Sequence, residues 1–187
     1  VQHATPPGGN NLDIKNLDDG CYPAGMEDDV DRLIAAWKRE RPDIDVTPMH
    51  VLSRVTRLAL HLDRARKEAF AAHGLEPSEF DVLSALRRAG QPYQLSPGRL
   101  VQETLVTSGT MTNRVDRLVR KGLVVRLPDP ADRRGVQVRL SEAGMAAVDG
   151  ALDALIAREH DLLAGVGADE ADGIASSLRK LSQPFDR

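Results

Sequence analysis

Aromatic residues are scarce in this chain: three Phe, two Tyr and one Trp make up 3% of 187 residues. Its core must therefore be built mostly of Leu, Val and Ala. Cysteine is scarcer still, and the single Cys21 excludes an intramolecular disulfide framework. No apolar run approaches the roughly 18 residues needed to span a bilayer, and no signal-peptide pattern opens the chain. A cytoplasmic protein with no membrane partner is expected. Catalytic signatures are missing too. His50, His61, His73 and His160 are scattered and match no metal-ligand pattern such as HExxH. Neither GxSxG nor GxxxxGK followed by Ser or Thr occurs, and Cys21 has no His nearby. An enzyme is not expected, and neither is a metal or a cofactor.

What is present is an uneven distribution of charge. Hydrophobic residues at 41% and charged residues at 28% describe an ordinary globular chain, with a net charge of -3. Between Arg114 and Arg139, however, eight Lys or Arg stand against three Asp, a local net of +5. A basic patch in a mildly acidic protein is an electrostatic footprint for nucleic acid.

Residues 1–26, rich in Gly, Pro, Asn and Asp, read as a flexible arm. Apolar residues at Val30, Leu33, Ile34 and Trp37 predict a helix over about 27–40. After "RPDIDVTP", Thr47 as N-cap and Pro48 in the first turn open a long helix over about 48–72. A helix over about 77–89 follows, then a short strand in "QPYQL" and a short helix with Ser96 as N-cap and Pro97 at its first position. Thr107 or Ser108 caps the next helix, about 108–121, which ends at Gly122. "LVVRLP" and "GVQVRL" alternate apolar and polar residues across "DPADRR", a two-stranded ribbon. Ser141-Glu142 starts a long helix to about 164, and a last helix occupies about 168–182. The fold class is mainly α with a small β-ribbon: a winged helix-turn-helix lobe over about 75–140. Helices over about 27–72 and 141–187 form a dimerisation region.

The helix over 108–121 gathers Met111, Val115, Leu118 and Val119 on one stripe and turns Thr110, Asn113, Arg117 and Arg120 outward. Such a face can donate to phosphates and read base edges in a major groove; equally, it is what covers the solvent side of an ordinary amphipathic helix. Arg133 and Arg134 fall at the ribbon tip, suited to a minor groove or to phosphates. A solvated hairpin with internal Asp–Arg pairs is the plainer alternative.

The stretch from about Glu76 to Gly144, with "TSGTMTNRVDRLVRKGLVVR" and "DPADRRGVQVRLSEAG", resembles the MarR family of winged-helix bacterial transcription regulators. The resemblance implies a homodimer on a palindromic double-stranded operator, usually a repressor released by a small ligand. Ser108, Thr110, Thr112, Asn113, Arg117, Arg120, Arg133 and Arg134 are then the expected DNA-binding residues. Two-fold geometry sets half-sites about one turn, roughly 10 bp, apart. Further toward the N-terminus, "AAWKRERPDIDVTPMHVLSRVTRL" resembles the PecS-type, urate-responsive branch. By that resemblance the effector residues are Trp37, Asp81, Arg114 and Arg126, and the effector is urate or another small anion.

Each of the four also has an ordinary reading. Trp37 lies on an apolar stripe that a dimer interface would bury. Asp81, three residues after Ser78, suits N-terminal capping, which the residues alone favour. Arg114 borders the core and pairs equally well with Asp116 or Asp81, whereas Arg126 suits a phosphate contact from the ribbon. An anion on Arg114 would perturb an Asp81–Arg126 contact. Other effectors, carboxylate or phenolic, and a thiol response at Cys21 stay open, as does an interaction module that does not bind DNA.

Overall fold

The computed structural model describes residues 27–130 and 135–185. The chain divides into two compact units. One takes in the residues up to Pro42 and from Gly165 onward; the other runs from Asp43 to Ala164. Among the described residues no helix is long and apolar enough to cross a membrane.

In the first unit, helix α1 (Asp29–Glu40) starts at Asp28, whose Oδ1 accepts from the backbone N–H groups of Val30 at 2.8 Å and Asp31 at 2.9 Å. Asp31 returns the favour through Oδ2, accepting from Asp28 N at 3.1 Å. This reciprocal arrangement satisfies donors that a helix start otherwise leaves open. Val30 and Ile34 are buried, but Trp37 stays 43% exposed. Helix α7 (Ala168–Ser182) carries Ile174, Leu178 and Leu181 on one face, all exposed, and runs into a short 3-10 turn, Gln183–Phe185.

The second unit holds α2 (Met49–Ala71), α3 (Pro77–Arg88), β1 (Gln94–Leu95), α4 (Pro97–Thr104), α5 (Ser108–Arg120), β2 (Val124–Pro128), β3 (Val136–Leu140) and α6 (Glu142–Leu163). The strands form an antiparallel sheet ordered β1-β3-β2, with Val125 and Gln94 flanking Arg139. Val138 and Leu140 of β3 face the core while Arg139 between them is exposed, the alternation expected of a half-buried strand. Phe70 and Phe80 stack with ring centroids 4.0 Å apart, and Leu83, Leu86, Leu100, Met111 and Leu118 complete the interior. Arg87 of α3 donates to Asp149 of α6 at 2.8 Å; that hydrogen bond holds its guanidinium above the ordinary arginine pKa, against the opposing effect of desolvation.

Local chemistry starts most of these elements. Ser96 Oγ accepts from Arg99 N, and Thr107 Oγ1 from Thr110 N. Ser141 is used three ways: its Oγ accepts from Gly144 N at 3.0 Å and donates to Gly122 O at 2.7 Å, while its own N–H donates to Leu123 O at 3.1 Å. The start of α6 is thereby sewn to the turn between α5 and β2. The expected Thr47 cap is absent. Pro48 occupies the N-cap position of α2 without a side-chain bond, and a turn in which Asp45 Oδ1 accepts from Thr47 N leads into the helix instead.

Leu105, the C-cap of α4, adopts a left-handed φ of 53° and is 92% exposed. A branched side chain in that region costs about 1–2 kcal/mol, and here burial offsets little of it. Leu105→Gly is expected to raise stability by about 1 kcal/mol, after allowing for glycine's looser unfolded chain. Thermal unfolding should record a gain of about 2–4 °C; an unchanged or lower midpoint would show that the residue is not strained.

Candidate nucleic-acid interface and effector pocket

Helix α5 buries Met111, Val115 and Leu118 against the lobe. At about 100° per residue, Gly109, Asn113 and Arg120 then lie within about 30° of the opposite, outward direction. Ser108, Thr110, Thr112, Asn113 and Arg120 are all exposed, with Asn113 and Arg120 the most directly outward. Arg133 and Arg134 lie outside the described residues. The ribbon leading to them is closed by Asp129 N donating to Gly135 O at 3.0 Å and by Gln137 Nε2 donating to Asp129 Oδ2 at 2.6 Å.

The outward reading of Arg117 needs correction. Its side chain turns along the flank of α5 toward the start of α3, where Nη2 donates to Ser78 Oγ at 3.4 Å and Nη1 stands 3.5 Å from Glu76 Oε2. Helical rotation fixes where Cβ leaves the helix, but the long arginine stem then follows the nearest acceptors.

Of the residues expected at an effector, Trp37 belongs to the first unit, on α1, and Asp81, Arg114 and Arg126 to the second. Asp81 does not cap its helix. Glu79 does so, its Oε2 accepting from Glu76 N at 3.0 Å. The Asp81 carboxylate instead lies between two arginines, 3.6 Å from Arg66 Nη2 and 3.9 Å from Arg114 Nη1. Arg126 stays exposed and meets Asp116 of α5 at 2.7 Å, not Asp81. The expected Asp81–Arg126 contact is replaced by these separate pairs. Arg66 had no signal in the sequence, because it comes from α2 and reaches Asp81 only through the packing of α2 on α3.

Arg114 is largely buried, with 16% of its side chain exposed, and 3.9 Å from Asp81 is too far for a hydrogen bond. Its Nη1 and the Nε of Arg117 are buried polar atoms without a hydrogen-bond partner among the described residues. Both arginines line an open cavity of about 520 Å³ together with Ser78, Thr110, Asn113, Asp116 and Arg120. Ser78 sits in the first turn of α3, where the helix dipole adds positive potential. Three guanidiniums against one carboxylate make this a place for an anion.

A second charged feature escaped the sequence reading. Glu79 is 1% exposed, and Lys121 Nζ donates to its Oε2 at 2.6 Å and to Gly74 O at 3.1 Å. That ammonium ties the end of α5 to the end of α2 and the start of α3.

Comparison with known proteins accords with this geometry. A profile of the MarR family matches residues 73–135. The HTH-type transcriptional regulator PecS of Dickeya dadantii is 34% identical over 155 residues, covering 83% of this chain and 93% of the relative. The multiple antibiotic resistance protein MarR of Escherichia coli K12 is 33% identical over 121 residues, covering 64% and 81%. A structure of a MarR variant from Escherichia coli complexed with operator DNA superposes with a TM-score of 0.60 at 30% identity, covering 74% of this chain and 99% of that one.

Proposed function

This chain belongs to the MarR family of DNA-binding transcription regulators, and from that premise we propose that it is a ligand-responsive repressor. It binds a palindromic operator as a homodimer, and urate or another small anion releases it. The observation that carries the effector reading is Arg114: a mostly buried guanidinium with an unpartnered Nη1, one of three arginines lining an open cavity along α5.

Dimerisation is supported by apolar surface that a monomer rarely exposes in such quantity. In the second unit Leu52, Val55 and Leu58 of α2 and Leu152 and Ile156 of α6 are each about 40–55% exposed. In the first, the Ile174, Leu178 and Leu181 face of α7 is equally uncovered.

An anion in the cavity competes with Asp81 for Arg114. Because Asp116 couples α5 to β2 through Arg126, a shift of α5 is felt at the wing. Release follows only if the anion binds the DNA-free arrangement more tightly than the bound one. The cavity lining contains no aromatic ring, which favours a compact carboxylate as the second reading of the effector.

Titration of the protein–operator complex with urate and, separately, with a small carboxylate tests this. Wild type is expected to release DNA, and Arg114→Ala to require at least tenfold more of the active anion, the worth of a lost charge-assisted hydrogen bond. Release of wild type and Arg114→Ala at the same concentration would remove Arg114 from the effector site.

A further inference from the structure

Helix α5 offers DNA an uneven set of donors. Its arginines are not equally available: Arg114 lies toward Asp81 and Arg117 donates to Ser78, whereas Arg120 stays exposed near the end of the helix, its Nε donating to Asp116 O of the same helix at 3.4 Å. The threonines are also occupied. Thr112 Oγ1 donates to Ser108 O at 3.1 Å, and Thr110 Oγ1 shares a hydrogen bond of 2.9 Å with Thr107 Oγ1. Each hydroxyl is thus engaged once and keeps acceptor capacity, and beside it each threonine offers a methyl. Asn113 differs: it is exposed, points within about 30° of straight outward, and makes no side-chain hydrogen bond within the described residues. One turn before it stands Gly109, where an added Cβ would meet nothing within 4 Å. A base edge can therefore approach the helix beside the Asn113 amide without a side chain in its way.

Arginine pairs with the O6 and N7 of guanine, an asparagine amide with the N6 and N7 of adenine, and a threonine methyl packs on the methyl of thymine. From this distribution we propose that Asn113 is the specificity-determining residue of α5, and that it reads an adenine in each operator half-site, with Thr110 and Thr112 packed against neighbouring thymine methyls. The amide carbonyl accepts from adenine N6 while the amide NH2 donates to N7. The half-site under Asn113 is accordingly A·T at that position. The inference rests on the operator-binding reading and adds which base pair is read and by which atoms.

Selection from a random duplex library with the full-length protein tests it. The selected sequences are expected to share an adenine at one fixed position of each half-site. The same selection with Asn113→Ala is expected to lose that preference, with at least a tenfold drop in affinity for the wild-type consensus. Asn113→Arg is expected to move the preference at that position to guanine. Placing 7-deazaadenine there removes N7 and should weaken wild type by about tenfold while leaving Asn113→Ala unaffected. A consensus that survives intact in Asn113→Ala, or one whose α5-covered bases are G·C throughout, overturns the assignment while operator binding stands. A library that yields no shared sequence defeats operator binding, and this assignment with it.

Discussion

Gly144→Ala is expected to lower the unfolding free energy by about 3 kcal/mol, the upper part of the range for forcing extra volume into a closed site. An alanine Cβ would sit on the carbonyl oxygen of Leu123 and 2.9 Å from its carbonyl carbon. That carbonyl cannot simply rotate aside, because it accepts the Ser141 N–H that joins α6 to β2. Backbone must move on one side or the other. A drop in thermal midpoint of about 10 °C is the corresponding signal. Gly150 provides the contrast. A Cβ there would meet His73 Nδ1 at 2.7 Å and Cε1 at 2.6 Å, but these are atoms of an exposed side chain that can swing away. Gly150→Ala is therefore expected to change stability by less than about 1 kcal/mol, helped by alanine's better helix propensity. If the two variants unfold at the same midpoint, the close approach at Gly144 does not constrain the fold.

Lys121→Met is the second large effect, expected to cost about 2 kcal/mol. Removing one partner from a buried ion pair typically costs about 3–5 kcal/mol. Lys121 keeps 42% of its side chain exposed, so solvent already screens part of the interaction and the value is discounted accordingly. What remains is an uncompensated carboxylate at Glu79, 1% exposed and held in place by the Glu76 N–H. Glu79→Gln should cost less, because the amide oxygen still accepts that N–H. Replacing both, Glu79→Leu with Lys121→Met, should recover part of the loss, as apolar substitutes for buried ion pairs often do. Urea unfolding of the three variants at neutral pH is the measurement. A Lys121→Met midpoint equal to wild type would mean that water satisfies Glu79.

Glu79 also marks the limit of what the sequence discloses. A glutamate three residues into a helix reads as an ordinary first-turn acid, and capping does account for one of its oxygens. Its burial depends on Lys121, 42 residues later, arriving at the same place, which no local pattern encodes. Asp81 is the mirror case. Its spacing from Ser78 suited capping, yet arginines from α2 and α5 claim its carboxylate. The helix starts at Ser96, Thr107 and Ser141 were legible because an N-cap oxygen and the N–H that donates to it lie three residues apart. The outward side of α5 was legible from period 3.6 in Cβ directions, although not in where Arg117 ends.

The seam at Ser141 has a mechanical consequence. Helix α6 has 22 residues, a rod about 33 Å long. One end is fastened to the turn beneath the recognition helix, and the other ends at exposed Leu162 and Leu163. A rod pivoting on such a fastening magnifies angle into travel: a tilt of about 5° carries its far end through about 3 Å. Held at that far end by a twin subunit, the same rod works in reverse. In the homodimer proposed above, a few degrees of closure between twins would widen or narrow the gap between the two α5 helices by about a base-pair rise, and α6 would then be the calliper arm that gauges the distance between half-sites.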